Sequence, residues 1–217
     1  MKPRLTLSSL LEEACEFAQI ESEHDEPAIF GVTDGKAVGT YFEHKFKRYL
    51  REKYSYREGS SAKGIDFPAL GVDMKVTSIR QPQSSCPFKS ARQKIFGLGY
   101  SLLVFVYEKR DSRRLKTGRL EIRHVIYVEK SRTADYQTTT GLRQILENNG
   151  NIDDLVAFMK DRYLPVDDIV AGRIAEELIN NPPGVGYLTI SNALQWRLQY
   201  SRIIEKAGQV EGVQRIL

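Results

Sequence analysis

The sequence predicts an α/β (α+β) protein in which helices precede and follow a β-rich centre. Three observations carry this. Two early segments place apolar residues at helical spacing, the central runs alternate or are continuously apolar, and the last third is again helically periodic. Of the 217 residues, 41% are hydrophobic and 28% charged, the balance of a folded globular chain.

The elements follow in chain order. Ser9 and Glu12 have capping-box spacing, and Leu7, Leu10, Leu11, Ala14, Cys15 and Ala18 recur at helical intervals, which predicts a helix over residues 8–22. VTDGK is turn chemistry, with Gly35 available for a positive φ. A helix over 38–54 follows, with Val38, Phe42, Phe46, Tyr49 and Leu50 as its apolar stripe. Lys45, Lys47, Arg48, Arg51 and Lys53 fall on its other faces. GIDFPALGVDMKVTS, residues 64–78, reads as a β-hairpin turning at Pro68–Gly71. SIRQPQSSCPF (78–88) is a long polar loop or an irregular edge.

KSARQKIFGLGY predicts a short basic helix ended by Gly97 or Gly99. SLLVFVYE (101–108) is continuously apolar, as a central strand covered on both faces would be. DSRRLKTGR is a basic turn, and LEIRHVIYVE (120–129) alternates as a further strand. Helices then stop at Asn149-Gly150, at Pro165 and at Pro182-Pro183, and TISNALQWRLQYSRIIEKA predicts a last helix ended by Gly208. The expected division is a core over residues 1–138 and a helical C-terminal region over 139–217.

Composition narrows the partners. The formal charge of +4 permits a polyanionic partner without requiring one. Two cysteines, Cys15 and Cys86, give neither a disulfide framework nor zinc spacing, which fits a cytoplasmic protein. Acidic residues stand where a signal peptide would be apolar, and the YSLLVFVY run is far too short to span a bilayer. A membrane partner is therefore not expected. Nor is a nucleotide cofactor, since no GxxxxGK[ST] loop occurs.

The hairpin carries the chemistry. Phe67 opposite Val72 sets Asp66 opposite Asp73 and Ile65 opposite Met74, and directly opposed residues share a face. Alternation sends Ile65, Phe67, Val72, Met74 and Val76 to one side and Asp66, Asp73, Lys75 and Thr77 to the other. Opposed aspartates repel unless a cation lies between them. Such oxygen ligands suit a hard divalent ion, magnesium first. A lysine beside the ion orients or deprotonates a water while the ion neutralises charge developing on a phosphate. The plainer reading of the same charges is a solvated hairpin face with ordinary Asp–Lys pairs.

The acid-x-lysine pattern also occurs as DGK (34–36) in a turn and EHK (43–45) on a helix, where residues two apart diverge. Only DMK lies on a strand with a second aspartate opposed. In this setting GIDFPALGVDMK resembles the PD-(D/E)XK nuclease motif, with Asp66 and Asp73 as its acids and Lys75 as its lysine. Ile65 stands where the motif has proline.

The resemblance implies a restriction-endonuclease-like fold, a mixed central sheet flanked by helices, for which residues 38–108 supply the order of elements. It also implies a glutamate on the preceding helix, matched by Glu43 in YFEHKF. Asp66, Asp73 and Glu43 are then metal ligands for Mg2+, with Mn2+ able to substitute, and Lys75 positions or activates the water. The implied activity is a type II restriction enzyme cutting double-stranded DNA at a short specific site, as a homodimer with one site per subunit. A structure-specific repair or junction-resolving nuclease shares this core and is the nearest rival. A non-catalytic DNA-binding regulator is a rival of another class.

Basic residues surround the motif. Lys63, Arg80, Lys89, Arg92 and Lys94 suit phosphate contacts, or ordinary solvation. Arg80, Gln81 and Gln83 are side-chain types that pair with base edges, in a segment that equally suits a plain surface loop. Asn192, Gln195 and Arg197 lie on the last predicted helix, which resembles the recognition helix of a helix-turn-helix unit. The same helix also suits packing on the core or on a dimer partner. His24, His44 and His124 show no ligand or triad spacing.

Overall fold

The computed structural model describes residues 2–59, 65–86, 90–191 and 196–217. In chain order they form α1 (Leu7–Ser22), β1 (Asp25–Glu26), α2 (Gly35–Lys53), β2 (Val72–Ser78), β3 (Gln83–Ser85) and α3 (Ala91–Phe96). These are followed by β4 (Ser101–Ser112), β5 (Thr117–Val128), α4 (Tyr136–Glu147), α5 (Ile152–Asp161) and α6 (Asp168–Asn180). The chain ends with β6 (Thr189–Ser191), β7 (Arg197–Gln199), α7 (Ser201–Lys206) and β8 (Val213–Arg215). This is the predicted α/β class, with a sheet and flanking helices as a restriction-endonuclease-like fold requires. Among the described residues, no helix is long and apolar enough to cross a membrane.

Two compact units result. The first comprises Met1–Gln83, Leu102–Val128 and Ala207–Leu217. Its sheet runs in the order β1-β5-β4-β2, with β8 also pairing β5. β4 and β5 pair antiparallel from Leu102 opposite Val128 to Ser112 opposite Thr117, and an irregularity falls between Val106 and Tyr107. Leu102 through Tyr107 are all buried, as the unbroken apolar run requires. Helix α1 packs on β5, and α2 packs on β2.

Aromatic side chains lock α2 in place. The ring of Phe42 lies 5.3 Å from that of Phe17 and 4.8 Å from that of Phe105. Phe46 lies 5.1 and 5.3 Å from the same two rings. Full burial of each such side chain contributes about 1.5–3 kcal/mol and also fixes the rotation of the helix. The helix starts earlier than predicted. Asp34 is its N-cap, accepting from the Lys36 N–H, so Gly35 is the first helical residue rather than a positive-φ turn. Helix α1 likewise begins at Leu7, because Thr6 and Ser9 form the reciprocal capping box, while Glu12 accepts from Ser8 instead.

The second unit comprises Ser84–Ser101 and Glu129–Lys206. Ile95, Leu142, Leu155, Met159, Ile174 and Leu178 form the centre of its apolar core. Helix α3 ends at Gly97, as predicted, with φ +90°, where an added Cβ would meet Thr133 Oγ1 at 2.8 Å. Its last predicted helix is a correction. Thr189–Ser191 and Arg197–Gln199 are strands, paired antiparallel with Ile190 opposite Leu198, and helix resumes only at Ser201. Ile190 and Leu198 are buried while their neighbours are half-exposed, a period of two. Residues eight apart on one helix face also share a strand face, so the apolar spacing alone does not separate the two. The N–H of Ile190 is fixed by Asp135 Oδ2 at 2.7 Å, a tertiary bond that the local sequence does not announce. A continuous helix from Thr189 to Ala207 is thereby excluded, while Asn192 and Gln195 lie outside the described residues.

Truncating Phe42 to Ala should cost about 3–5 kcal/mol of stability. A large fall in the urea midpoint of the Phe42→Ala protein, with little change in slope, is the expected result.

Candidate active site

The charged face of β2 is built by alternation. Val72 and Met74 are fully buried on the core side. Asp73, Lys75 and Thr77 take the other side, as predicted. The partner segment is shorter than a full strand. Phe67 and Val72 form a single antiparallel bridge, and residues 65–66 do not continue the ladder. Asp66 reaches β2 with its side chain instead, accepting from the Met74 N–H through Oδ2 at 3.0 Å. That bond holds the carboxyl of Asp66 beside that of Asp73, where each alters the ionisation of the other.

Both carboxylates carry a lysine. Lys75 Nζ lies 2.7 Å from Asp73 Oδ2, and Lys47 Nζ lies 2.5 Å from Asp66 Oδ1. Glu43 comes within electrostatic reach of Asp66, Lys47 and Lys75. The first unit thus brings Glu43, Asp66, Asp73 and Lys75 together. Lys47 joins them and was missed. The apolar stripe leaves it on one of the other faces of its helix, yet its side chain is only 16% exposed and is paired with Asp66. The available signal was its position four residues after Glu43, one turn along the same face.

Electrostatics separate the acids. Burial pushes the Asp73 carboxyl up to about 7, with the neighbouring Asp66 adding to the rise and Lys75 opposing it. Burial also acts on Asp66, but the Lys47 ammonium, the neighbouring Asp73 carboxyl and the Met74 N–H outweigh it and hold that carboxyl low. Glu43 is raised, first by burial and then by Asp66. Asp73 Oδ2 is buried without an aligned hydrogen-bond donor, because Lys75 approaches it off the hydrogen-bond direction. An orphaned carboxylate oxygen beside a second carboxylate is a donor set that fits a hard divalent cation. Among the described residues, no three acidic, His or Cys side chains stand as a preformed metal cage. A cavity of about 720 Å³, lined by Arg4, Leu5, Tyr56, Phe67 and Leu70 among others, contains none of these charges.

The remaining predicted residues are dispersed. Arg80 and Gln81 are exposed in the turn that follows β2, and Gln83 is half-exposed. This turn is tied to the charged face, because Thr77 Oγ1 accepts from the Gln83 N–H at 3.0 Å. Arg92, Lys94 and Arg197 belong to the second unit. Arg92 makes a bidentate pair with Glu177 at 2.6 and 2.9 Å, and Lys94 is buried, only 6% exposed. Arg197 is half-exposed on β7. Lys63, Lys89, Asn192 and Gln195 lie outside the described residues.

Comparison with known proteins adds to this geometry. A family model described as type II restriction enzyme NspV matches residues 4–215. A curated relative, the type II restriction enzyme NspV of Nostoc sp., is 65% identical over 209 residues, covering 96% of this chain and 95% of that protein. No solved structure matches.

Asp73→Asn should stabilise the metal-free protein, with a pH dependence of defined sign. A carboxyl whose folded value is raised holds its proton more tightly when folded, so its ionisation removes stability as pH rises towards about 7. The thermal midpoint of Asp73→Asn should therefore exceed that of the parent by more at pH 8 than at pH 5.

Proposed function

The chain belongs to the type II restriction enzyme NspV family, and on that premise we propose a magnesium-dependent hydrolytic centre built on Asp66, Asp73 and Lys75. The chain is a site-specific deoxyribonuclease acting on double-stranded DNA. The observation that carries the proposal is the approach of Asp66 to the buried Asp73, beside Lys75, on the charged face of β2. Asp66 and Asp73 would hold the divalent ion, with Glu43 supporting a ligand or a second ion. When bound, the ion supplies charge neutralisation at the phosphate and lowers the pKa of a bound water.

The protein's own groups account for the rest. Met74 fixes Asp66 through a backbone N–H, so its carboxylate is set by the strand rather than by a flexible rotamer. Lys75 lies on the same face as Asp73 with its ammonium beside that carboxylate, where it would orient a nucleophilic water. The turn carrying Arg80 and Gln81 leaves β2 just beyond the charged face and leads to Gln83 at the start of β3. These are the side chains we assign to DNA contact, Arg80 and the glutamines having the geometry for guanine and adenine edges. Cutting both strands of a symmetric site calls for a homodimer with one centre per subunit.

Incubation of plasmid DNA with the protein and Mg2+ should give discrete bands, and EDTA should abolish them. Dependence on branched substrates would instead support a junction-resolving nuclease, and specific binding without metal-dependent nicking would support a regulator. Asp73→Ala should lose cleavage by about 10³-fold or more while keeping or tightening DNA binding, since it removes a negative charge near the phosphates. Undiminished cutting by purified Asp73→Ala would overturn the assignment.

A further inference from the structure

We propose that Lys47 is the internal counter-ion of the metal-free site, holding Asp66 until a divalent cation replaces it and then binding a DNA phosphate. The inference rests on the reading of Asp66 and Asp73 as metal ligands. Lys47 and Glu43 are four residues apart on α2, so both point from one face towards Asp66. The rotation of that face is set by Phe42 and Phe46, which are fully buried. The lysine is therefore delivered to the carboxylate by the helix.

The two oxygens of Asp66 are engaged differently. Oδ2 accepts from the Met74 N–H, a backbone donor on β2 that cannot withdraw unless the strand moves. Oδ1 is held by the Lys47 ammonium at 2.5 Å, on a four-carbon stem with free rotors. Only the second contact can open without disturbing the fold. An ammonium and a divalent cation repel each other, so a metal ion taken up by Asp66 must turn Lys47 away from Oδ1. Lys47 is partly exposed, so its charged end can reach water, or a phosphate, while the stem stays packed.

Asp73 does not share this arrangement. Lys75 stands close to it but off the hydrogen-bond direction, leaving Oδ2 without an aligned donor. The first unit thus carries two lysines with different tasks: one beside the reacting centre, one masking a ligand. The masking lysine makes metal and DNA binding mutually reinforcing, because metal uptake releases a cation for the phosphate and the phosphate keeps that cation away from Asp66.

The test is Mn2+ titration of the metal-free protein by electron paramagnetic resonance, together with binding of a short duplex that the enzyme does not cut. Lys47→Met should bind Mn2+ about tenfold more tightly than the parent. In Mn2+ it should bind the duplex about fivefold more weakly, with a salt dependence shallower by about one. Lys47→Arg keeps both the charge and the pairing, so it should bind Mn2+ no more tightly than the parent and retain the duplex affinity. Lys47→Gln, which keeps a hydrogen-bond donor, gives the same comparison if the methionine variant does not fold. A loss of packing alone would weaken both ligands together. Unchanged or weaker Mn2+ binding by the neutral variants, or full duplex affinity in Mn2+, would overturn the role of Lys47. Mn2+ affinity unaltered by Asp73→Ala would instead overturn the metal site itself, and the inference with it.

Discussion

Asp66 and Asp73 set two carboxyl groups side by side where water has little access, and the structure around them manages that repulsion. Burial alone favours the protonated form of each, and proximity penalises ionising both. The molecule answers with positive charge from two directions, Lys75 from the same strand and Lys47 from the neighbouring helix. On the proposed reading, Asp66 and Asp73 would hold a divalent cation, whose double charge would offset their repulsion more strongly than either ammonium does. This electrostatic tension is what the bound ion would relieve.

Rigid parts impose that tension. The Met74 N–H fixes Asp66 from β2, and β2 borders the long strand β4, whose residues Leu102–Tyr107 are buried throughout. The rings of Phe17, Phe42, Phe46 and Phe105 then fix the helix that brings Glu43 and Lys47 to the same place. If α2 rotated by one residue, about 100°, these side chains would leave the site. Core packing and site geometry are one constraint here, since Glu43 and Lys47 each directly follow a buried phenylalanine on the same helix.

The motif was legible because strand alternation is a strictly local rule. Asp73, Lys75 and Thr77 had to share a face once residues 72–78 were extended, whatever the rest of the chain did. The long apolar strand and its alternating partner were equally plain, as were the helix stops at Gly97 and Asn149-Gly150. Residues 189–199 were not. Ile190 and Leu198 satisfy both helical and extended periods, and the choice is made by the pairing of the two strands and by the bond that the Ile190 N–H donates to Asp135.

By itself the sequence determined the α/β class, the central buried strand and the charged face with its two aspartates and lysine. These follow from periodicity and turn chemistry, which act over a few residues. Only the tertiary structure decided that Asp66 reaches Asp73 through a side-chain bond to Met74 rather than through a paired strand. It alone decided that Lys47 turns to hold Asp66, and that Thr189–Ser191 and Arg197–Gln199 pair as strands. Each of these depends on a partner distant in sequence, with a backbone donor or a carboxylate supplying the energy that local propensity lacks.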